Sequence, residues 1–367
     1  MEQVHISRRQ LFMLTFLFIV GSAFILLPGT FIAAGKQDAW LIPLWGAVWG
    51  IMIASMWLYL MRLHPGLSIV QICVSVAGKT IGSVLALLFI WFFLYTSVWI
   101  TRDVSYVQLT LMPRTPLTVF HVMFLMTTYY AVIKGFEGIA RMSELIMPLF
   151  LLFVMLVVLP MLNEWDWEQF QPILELDVWR TMKKTNAFFT FPFLESICLT
   201  MIIPFVRRKA ALPFLAGIAS GSLFLSILVF FIIGIMGVSR PSHLLFPIYN
   251  LATEVEIALF IENIEVVLFI VYLGALYIQL SILYYCTVAG LCQLLKLKNR
   301  AIVGFPFILI ISGLAVTYAE NIVKDLEWTN KYSLIHSSLY GIFLPILLIL
   351  LTWLKAFRRR VSGESKS

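Results

Sequence analysis

The run Glu144–Leu162, ELIMPLFLLFVMLVVLPML, leaves a chain few ways to fold. Its apolar residues do not alternate with polar ones, so it cannot be a strand with one wet face. As a helix it extends about 28 Å, close to the thickness of a bilayer's hydrocarbon core. Backbone amides in lipid must find their partners inside the protein, and an isolated apolar segment does so only as a helix.

Such runs recur along the chain. Segments of spanning length lie at about 11–35, 39–61, 81–111, 117–133, 143–162, 186–206, 211–238, 264–294, 301–319 and 334–356. Of the 367 residues, 61% are hydrophobic and only 12% charged. A soluble domain carries roughly twice that charged share. The expectation is an all-α polytopic membrane protein of ten transmembrane helices, forming a single integral-membrane domain over 1–367. The N-terminal run is too long for the apolar core of a signal peptide, and further spans follow, so no cleavage is expected.

Charge sets the orientation. With the N-terminus in the cytoplasm, 17 of the 26 basic residues fall on that side, including Arg62, Lys134, the 207–209 cluster and Arg358–Arg360. Acidic residues gather instead around 163–186, 238–263 and 320–331. The positive-inside rule then places both termini in the cytoplasm. The net charge of +7 is a topology signal rather than a nucleic-acid surface. Residues 63–80 are expected to hold a short interfacial helix. The Trp-rich 163–186 stretch suits the headgroup level or a gate, and 249–263 an amphipathic cap.

Two spans are interrupted. The first has Gly21-Ser22 halfway across and Pro28 beyond, which frees the carbonyl of Phe24. The sixth has Phe191-Pro192-Phe193 followed by Glu195, in FFTFPFLESICLTMIIPF. These open two five-span halves, a first repeat at about 10–162 and a second at about 186–356. They are joined by the outer loop 163–185 and followed by the basic tail 357–367. An odd number of spans per half inverts one half relative to the other, and matching breaks in inverted repeats mark a midplane ligand site. Broken helices expose amides at one end and carbonyls at the other, which suits a zwitterion. Gly and Pro also serve ordinary helix packing in membranes.

A carboxylate in hydrocarbon costs from about 2.5 kcal/mol to more than about 10 kcal/mol, so Glu195 needs a reason. As a ligand residue it meets an ammonium or donates a hydrogen bond when protonated. As a structural residue it pairs with Arg102 or caps the backbone freed by Pro192. Gln279 in the eighth span either lines the cavity or bonds a neighbouring helix. Phe92, Tyr95, Thr96 and Trp99 form an aromatic and hydroxyl face on the third span, either core or lining. The candidate ligand-binding set is Gly21, Ser22, Ala23, Phe24, Phe92, Thr96, Phe191, Phe193, Glu195 and Gln279. The four cysteines (Cys73, Cys198, Cys286, Cys292) lack metal or redox spacing and read as packing residues without a disulfide. The five histidines are scattered over loops and span ends. No P-loop, metal cluster or Ser-His-Asp set assembles, so no cofactor, metal or enzymatic activity is expected.

VGSAFILLPG, AGKTIGS, MPRTPLTV, KGFEGIARMSELIMPLF, QPILELD, FPFLESICLTMIIPFV, LFIENIEVVLFIVYL and AFRRR follow one another along the chain. In order and spacing they resemble the spore-germination permease family, the B subunit of GerA-type nutrient germinant receptors. Departures are Leu194 before Glu195, where the family often has Gly, Asn263 in place of Arg, and Ala23 and Leu-Pro-Gly in the first-span motif. The resemblance implies the amino acid–polyamine–organocation superfamily and a LeuT-like five-plus-five fold. It further implies a receptor in the spore inner membrane that senses an amino acid or similar small nutrient, beside a membrane A subunit and a C lipoprotein. The same fold accommodates a secondary amino-acid transporter, proton-coupled through Glu195, or a conduit for water and ions.

Overall fold

A computed structural model describes residues 5–175, 177–185, 188–206, 209–254, 264–317 and 331–361. The acidic residues at 320–330, Arg207, Arg208 and most of the cap at 249–263 lie outside the described residues, as does the tail beyond 361.

The first span is two helices, α1 (Arg8–Val20) and α2 (Ala23–Gly35). Next come α3 (Ile42–Leu63), the short α4 (Ile69–Ala77), α5 (Lys79–Leu111), α6 (Leu117–Lys134) and α7 (Phe136–Val158). The segment after α7 contributes a 3₁₀ turn at Trp167–Phe170 and a short α8 (Val178–Lys184). After the irregular segment Phe189–Phe205 come α9 (Ala211–Met236), α10 (Pro247–Glu254), α11 (Ile264–Leu295) and α12 (Arg300–Thr317). The last helical stretch, α13 (Lys331–Arg358), contains a π turn at Leu339–Phe343.

Eight helical stretches among the described residues are long and apolar enough to cross a membrane. They account for every expected span except the two interrupted ones, whose unbroken pieces are each too short. The stretch Ala23–Leu63 is one of the eight and joins the second half of the first span to the whole second span. Large apolar side chains are exposed on these helices, among them Val48, Met52, Ile81, Met123, Ile302 and Leu309. Water would not tolerate so many, and lipid does. The protein is a multi-span helical membrane protein.

Local signals set the helix ends. Ser7 and Gln10 form a capping box, with Gln10 N donating to Ser7 Oγ at 3.1 Å and Ser7 N to Gln10 Oε1 at 2.9 Å. Ser68 and Gln71 repeat the device at the start of α4, the short helix expected within 63–80. In α9, Gly217 and Gly221 let the helix close on Thr15 and Ile19 of α1, the small-xxx-small packing of membrane helices.

Two ends of the bundle are distinguishable. At one, Ile6 N donates to the Phe205 carbonyl at 3.2 Å, His5 N to Glu137 Oε1 at 3.0 Å, and Lys355 Nζ to the Ser75 carbonyl at 2.9 Å. At the other, Gln37 Nε2 donates to the Pro172 carbonyl at 2.6 Å and Asp166 N to the Gly234 carbonyl at 2.9 Å. There Asp38, buried, also accepts from Leu174 N at 3.0 Å. The segment 163–185 is therefore tied into the bundle. Trp165 packs on Phe230 at 5.3 Å and over Gly234, so it belongs to the fold rather than to a headgroup collar. Trp167 beside it stays 69% exposed, as an interfacial anchor would.

Candidate functional site

α1 and α9 bring the first break against α11. The helix stops at Val20, and Gly21 N still reaches the Leu17 carbonyl at 2.8 Å. Ser22 N, freed at the break, donates to Gln279 Oε1 at 3.0 Å, and Ser22 Oγ donates to the same oxygen at 3.2 Å. A Cβ on Gly21 would overlap Gln279 Oε1. Gly21 thus makes room for the Gln279 side chain, which takes up the Ser22 amide that the break exposes. Of the two readings of Gln279, the bond to a neighbouring helix is formed. It is not the whole account, because Gln279 Nε2 is buried with no hydrogen-bond partner.

Pro28 does not break the span. It lies inside α2, which runs unbroken from Ala23 to Gly35. The carbonyl of Phe24 loses one amide, and the surrounding helices hold the turn in place.

The second break falls where Phe191-Pro192 was expected to put it. Phe191 is non-helical at φ −112°, ψ 118°, inside a π turn spanning Phe189–Phe193. The chain then continues as a 3₁₀ helix, Leu194–Met201. This tighter segment packs against α1, α3, α4, α5 and α11 as well as the π turn of α13. Glu195 is the second residue of this segment. Its Oε2 is buried and has no hydrogen-bond partner, from Arg102 or from any other described residue. Arg102 instead lies over the Trp99 ring, 5.5 Å from its centroid.

The other candidates divide. Phe24 is buried in an edge-to-face pair with Phe150 at 5.0 Å and lies 6.2 Å from Phe224. Ala23 is buried beside it. Phe193 packs on Phe188 at 5.1 Å and fills the space over Gly46 and Gly50 of α3. Phe191 is partly buried against the core at the kink. Phe92 stacks on Tyr340 at 4.5 Å, and Thr96 Oγ1 donates to the Phe92 carbonyl at 2.9 Å. So Ser22 and Gln279 are brought together, Glu195 sits at the neighbouring break, and the phenylalanines are packing.

Two residues left out of the candidate set belong near it. Asp103, 7% exposed, follows Thr96 and Trp99 at spacings of seven and four, on one face of α5. Tyr272, 0% exposed, precedes Gln279 by seven on α11, and its hydroxyl has no hydrogen-bond partner. Spacing could have found both. His336, near the start of the last span, packs against Tyr95 at 4.5 Å. The cysteines are all buried, and Cys286 Sγ donates to the Cys198 carbonyl at 3.3 Å. Burial pushes the Cys73 thiol on α4 up to about 12, which leaves it inert.

This combination can do one kind of chemistry. It holds a carboxylate oxygen, an amide nitrogen and a phenol oxygen that are buried without hydrogen-bond partners, groups that suit a small polar ligand.

The chain matches the family described as spore germination protein over residues 5–323. It is 26% identical over 373 residues to spore germination protein KB of Bacillus subtilis (strain 168), covering 99% of both chains. It is 24% identical to spore germination protein B2 of the same strain, covering 92% of both. Among solved structures it is similar to a Na+-coupled sialic acid symporter in a substrate-bound outward-open state. That match has a TM-score of 0.63 and 14% identity over 94% of this chain and 78% of the other. Mhp1, a nucleobase-cation-symport-1 family transporter, matches with a TM-score of 0.59 and 14% identity, covering 93% and 79%. At such identity the likeness speaks for the fold, which is the expected LeuT-like one.

Proposed function

The chain belongs to the spore germination protein family, and from that premise we propose that it is the integral-membrane subunit of a nutrient germinant receptor. It binds an amino acid or similar small nutrient between the two helix breaks and passes the signal on without chemical conversion. The observation that carries this reading is the buried Glu195 Oε2 without a partner beside a broken helix, with Gln279 Nε2 unpartnered at the other break. An orphaned carboxylate in a membrane bundle is costly unless something arrives to meet it. The ligand's ammonium meets Glu195 and its carboxylate meets Gln279 Nε2.

In this reading each broken segment completes a crossing, making ten, and both termini are cytoplasmic. The protein works in the spore inner membrane with an A subunit and a C lipoprotein. Deletion in the parent spore-former should remove germination to some members of a nutrient panel, and an unchanged response to every nutrient sinks the receptor. Cysteines placed at the exposed positions 168 and 298 test the orientation. Impermeant reagent on the outer side should label 168 alone, and labelling of 298 overturns it.

A second reading is supported by the fold, since both structural neighbours are described as coupled transporters. The chain would then move an amino acid itself. Purified protein in liposomes separates the two, because gradient-driven uptake of labelled amino acids favours transport and its absence favours sensing.

A further inference from the structure

Away from both breaks, α6 and α11 enclose a groove of about 620 Å³. Phe124, Met126, Thr127 and Tyr130 of α6 form its wall, and Leu273, Gly274 and Tyr277 of α11 its floor. The wall is exposed at Met126, Thr127 and Tyr130, whereas the floor is half-buried. Gly274 hollows the floor, since a Cβ there would meet only Ile146 of α7, in ordinary contact at 3.4 Å. Thr127 Oγ1 donates to the Phe124 carbonyl of its own helix at 2.7 Å, so the wall stays apolar in effect. A cation stands at one end. Lys134, the last residue of α6, holds its Nζ over the Tyr130 ring, 5.4 Å from the centroid. Lys134 is exposed and forms no ion pair among the described residues. Glu137, the nearest carboxylate along the chain, lies 3.9 Å from Arg141 and accepts from His5 N at 3.0 Å.

We infer that this groove holds one acyl chain of an anionic phospholipid, with the headgroup phosphate at Lys134 and Tyr130. Depth selects a lipid over a helix. From Phe124 to Lys134 is ten residues, about 15 Å along the axis and half of a hydrocarbon core about 30 Å thick. A membrane helix from a partner or a second copy would need the whole depth, whereas a phospholipid fills one leaflet. Charge selects the headgroup. A zwitterionic lipid brings its own cation to compete with Lys134 for the phosphate, and an anionic one does not. One basic residue near an anionic surface is worth about fivefold in affinity. The groove does not depend on the ligand reading of the breaks, yet it bears on the same helix. Tyr277 and Gln279 are two residues apart, about 200° around α11, so one side of that helix meets the lipid and the other meets the first break.

The test uses the full purified chain in detergent, with dioleoyl-phosphatidylglycerol and dioleoyl-phosphatidylcholine as probes at equal mole ratio. Native mass spectrometry counts the lipid retained. Phosphatidylglycerol should be retained about fivefold better than phosphatidylcholine. Lys134→Gln should bring the two lipids level. Arg62→Gln removes another exposed cation, at the end of α3, and should leave the preference in place. Thr127→Trp fills the groove from an exposed position and should lower retention of both lipids severalfold. Equal retention of the two lipids by the unmodified chain overturns the proposal. An equal loss of preference with Arg62→Gln overturns it as well, by assigning the effect to basic residues in general. Retention undiminished by Thr127→Trp puts the lipid elsewhere; should that variant fail to accumulate, Met126→Trp decides in its place. Disulfide-linked dimers of Thr127→Cys in membranes would give the groove to a second copy and overturn the lipid.

Discussion

At the first break the chain stops at Val20, restarts at Ala23, and has the freed amide of Ser22 taken up by a neighbour. Gln279 reaches in from α11 and takes both the amide and the hydroxyl of Ser22. At the second break Phe191 leaves helical space, the chain tightens into a 3₁₀ helix, and Glu195 is left with an oxygen that meets nothing. The breaks occupy corresponding positions in the two halves, yet at the first the freed backbone amide is taken up by the protein's own Gln279, while at the second a carboxylate oxygen is left unmet. A buried polar group without a partner costs about 1–3 kcal/mol, and more when charged. Both breaks bear such a cost, the first through the neutral Gln279 Nε2 and the second through Glu195 Oε2. The first break is a joint with one neutral donor left open, and the second is where a ligand's charge changes the balance.

The largest effect should come from spoiling the joint. Gly21→Val places a branched side chain where Gln279 Oε1 now sits, with the Leu17 carbonyl 3.1 Å from the new Cβ. Gln279 must withdraw, which orphans Ser22 N at a cost of about 1–3 kcal/mol and adds crowding. Protein in the membrane should fall severalfold and the nutrient response should vanish. Removing the obstacle sharpens the test, since Gly21→Ala combined with Gln279→Ala should accumulate better than Gly21→Ala alone. Immunoblots of spore membranes read both. A Gly21→Val protein that accumulates and responds normally would show that the first break is no joint at all.

The open break should behave in the opposite manner. Glu195→Gln keeps the shape and removes the charge, so protein levels should hold while the nutrient concentration needed for half-maximal germination rises. Losing a charged hydrogen bond to an ammonium costs about 1.5–3 kcal/mol, roughly ten- to a hundredfold. Glu195→Ala should do the same without lowering accumulation. Lower protein levels with an unchanged nutrient sensitivity would make Glu195 structural and erase the contrast between the breaks.

Why the sequence revealed the breaks but not their difference follows from what each residue can encode. Apolar runs and basic loops fix spans because length and charge act through the bilayer, whatever the packing. Gly21-Ser22 and Phe191-Pro192 mark breaks because backbone freedom and a missing amide are properties of single residues. Pro28 was misleading, since a proline inside a membrane helix is tolerated when neighbours re-satisfy the turn. Phe24 and Phe193 flank the breaks in the sequence, and in the fold they pack against α7 and α3. The direction of a side chain around its helix depends on which helices come near, and no single segment holds that information. Asp103 shares a face of α5 with Thr96 and Trp99 by spacing alone. Tyr272 is one of several aromatics in an apolar helix, and only the Gln279 contact shows which face of that helix meets the first break.

The smallest effects compare two serines, one at each break. Both are buried, and both hydroxyls are bonded. Ser22 Oγ donates across helices to Gln279 Oε1 at 3.2 Å, whereas Ser196 Oγ donates back to the Phe193 carbonyl of its own turn at 2.7 Å. Ser22→Ala removes one of two bonds to Gln279 and leaves the amide bond in place, so the joint loosens without opening. The loss should be about 0.5–1.5 kcal/mol, the net worth of an ordinary hydrogen bond. Ser196→Ala removes a local bond that competes with the helix's own ladder, so its cost should be smaller still. Thermal unfolding of the purified variants should therefore rank wild type, Ser196→Ala and Ser22→Ala in falling order, with nutrient sensitivity nearly unchanged in both. The reverse order would place the rigid joint at the second break, where the unpartnered Glu195 would then have to be explained without a ligand.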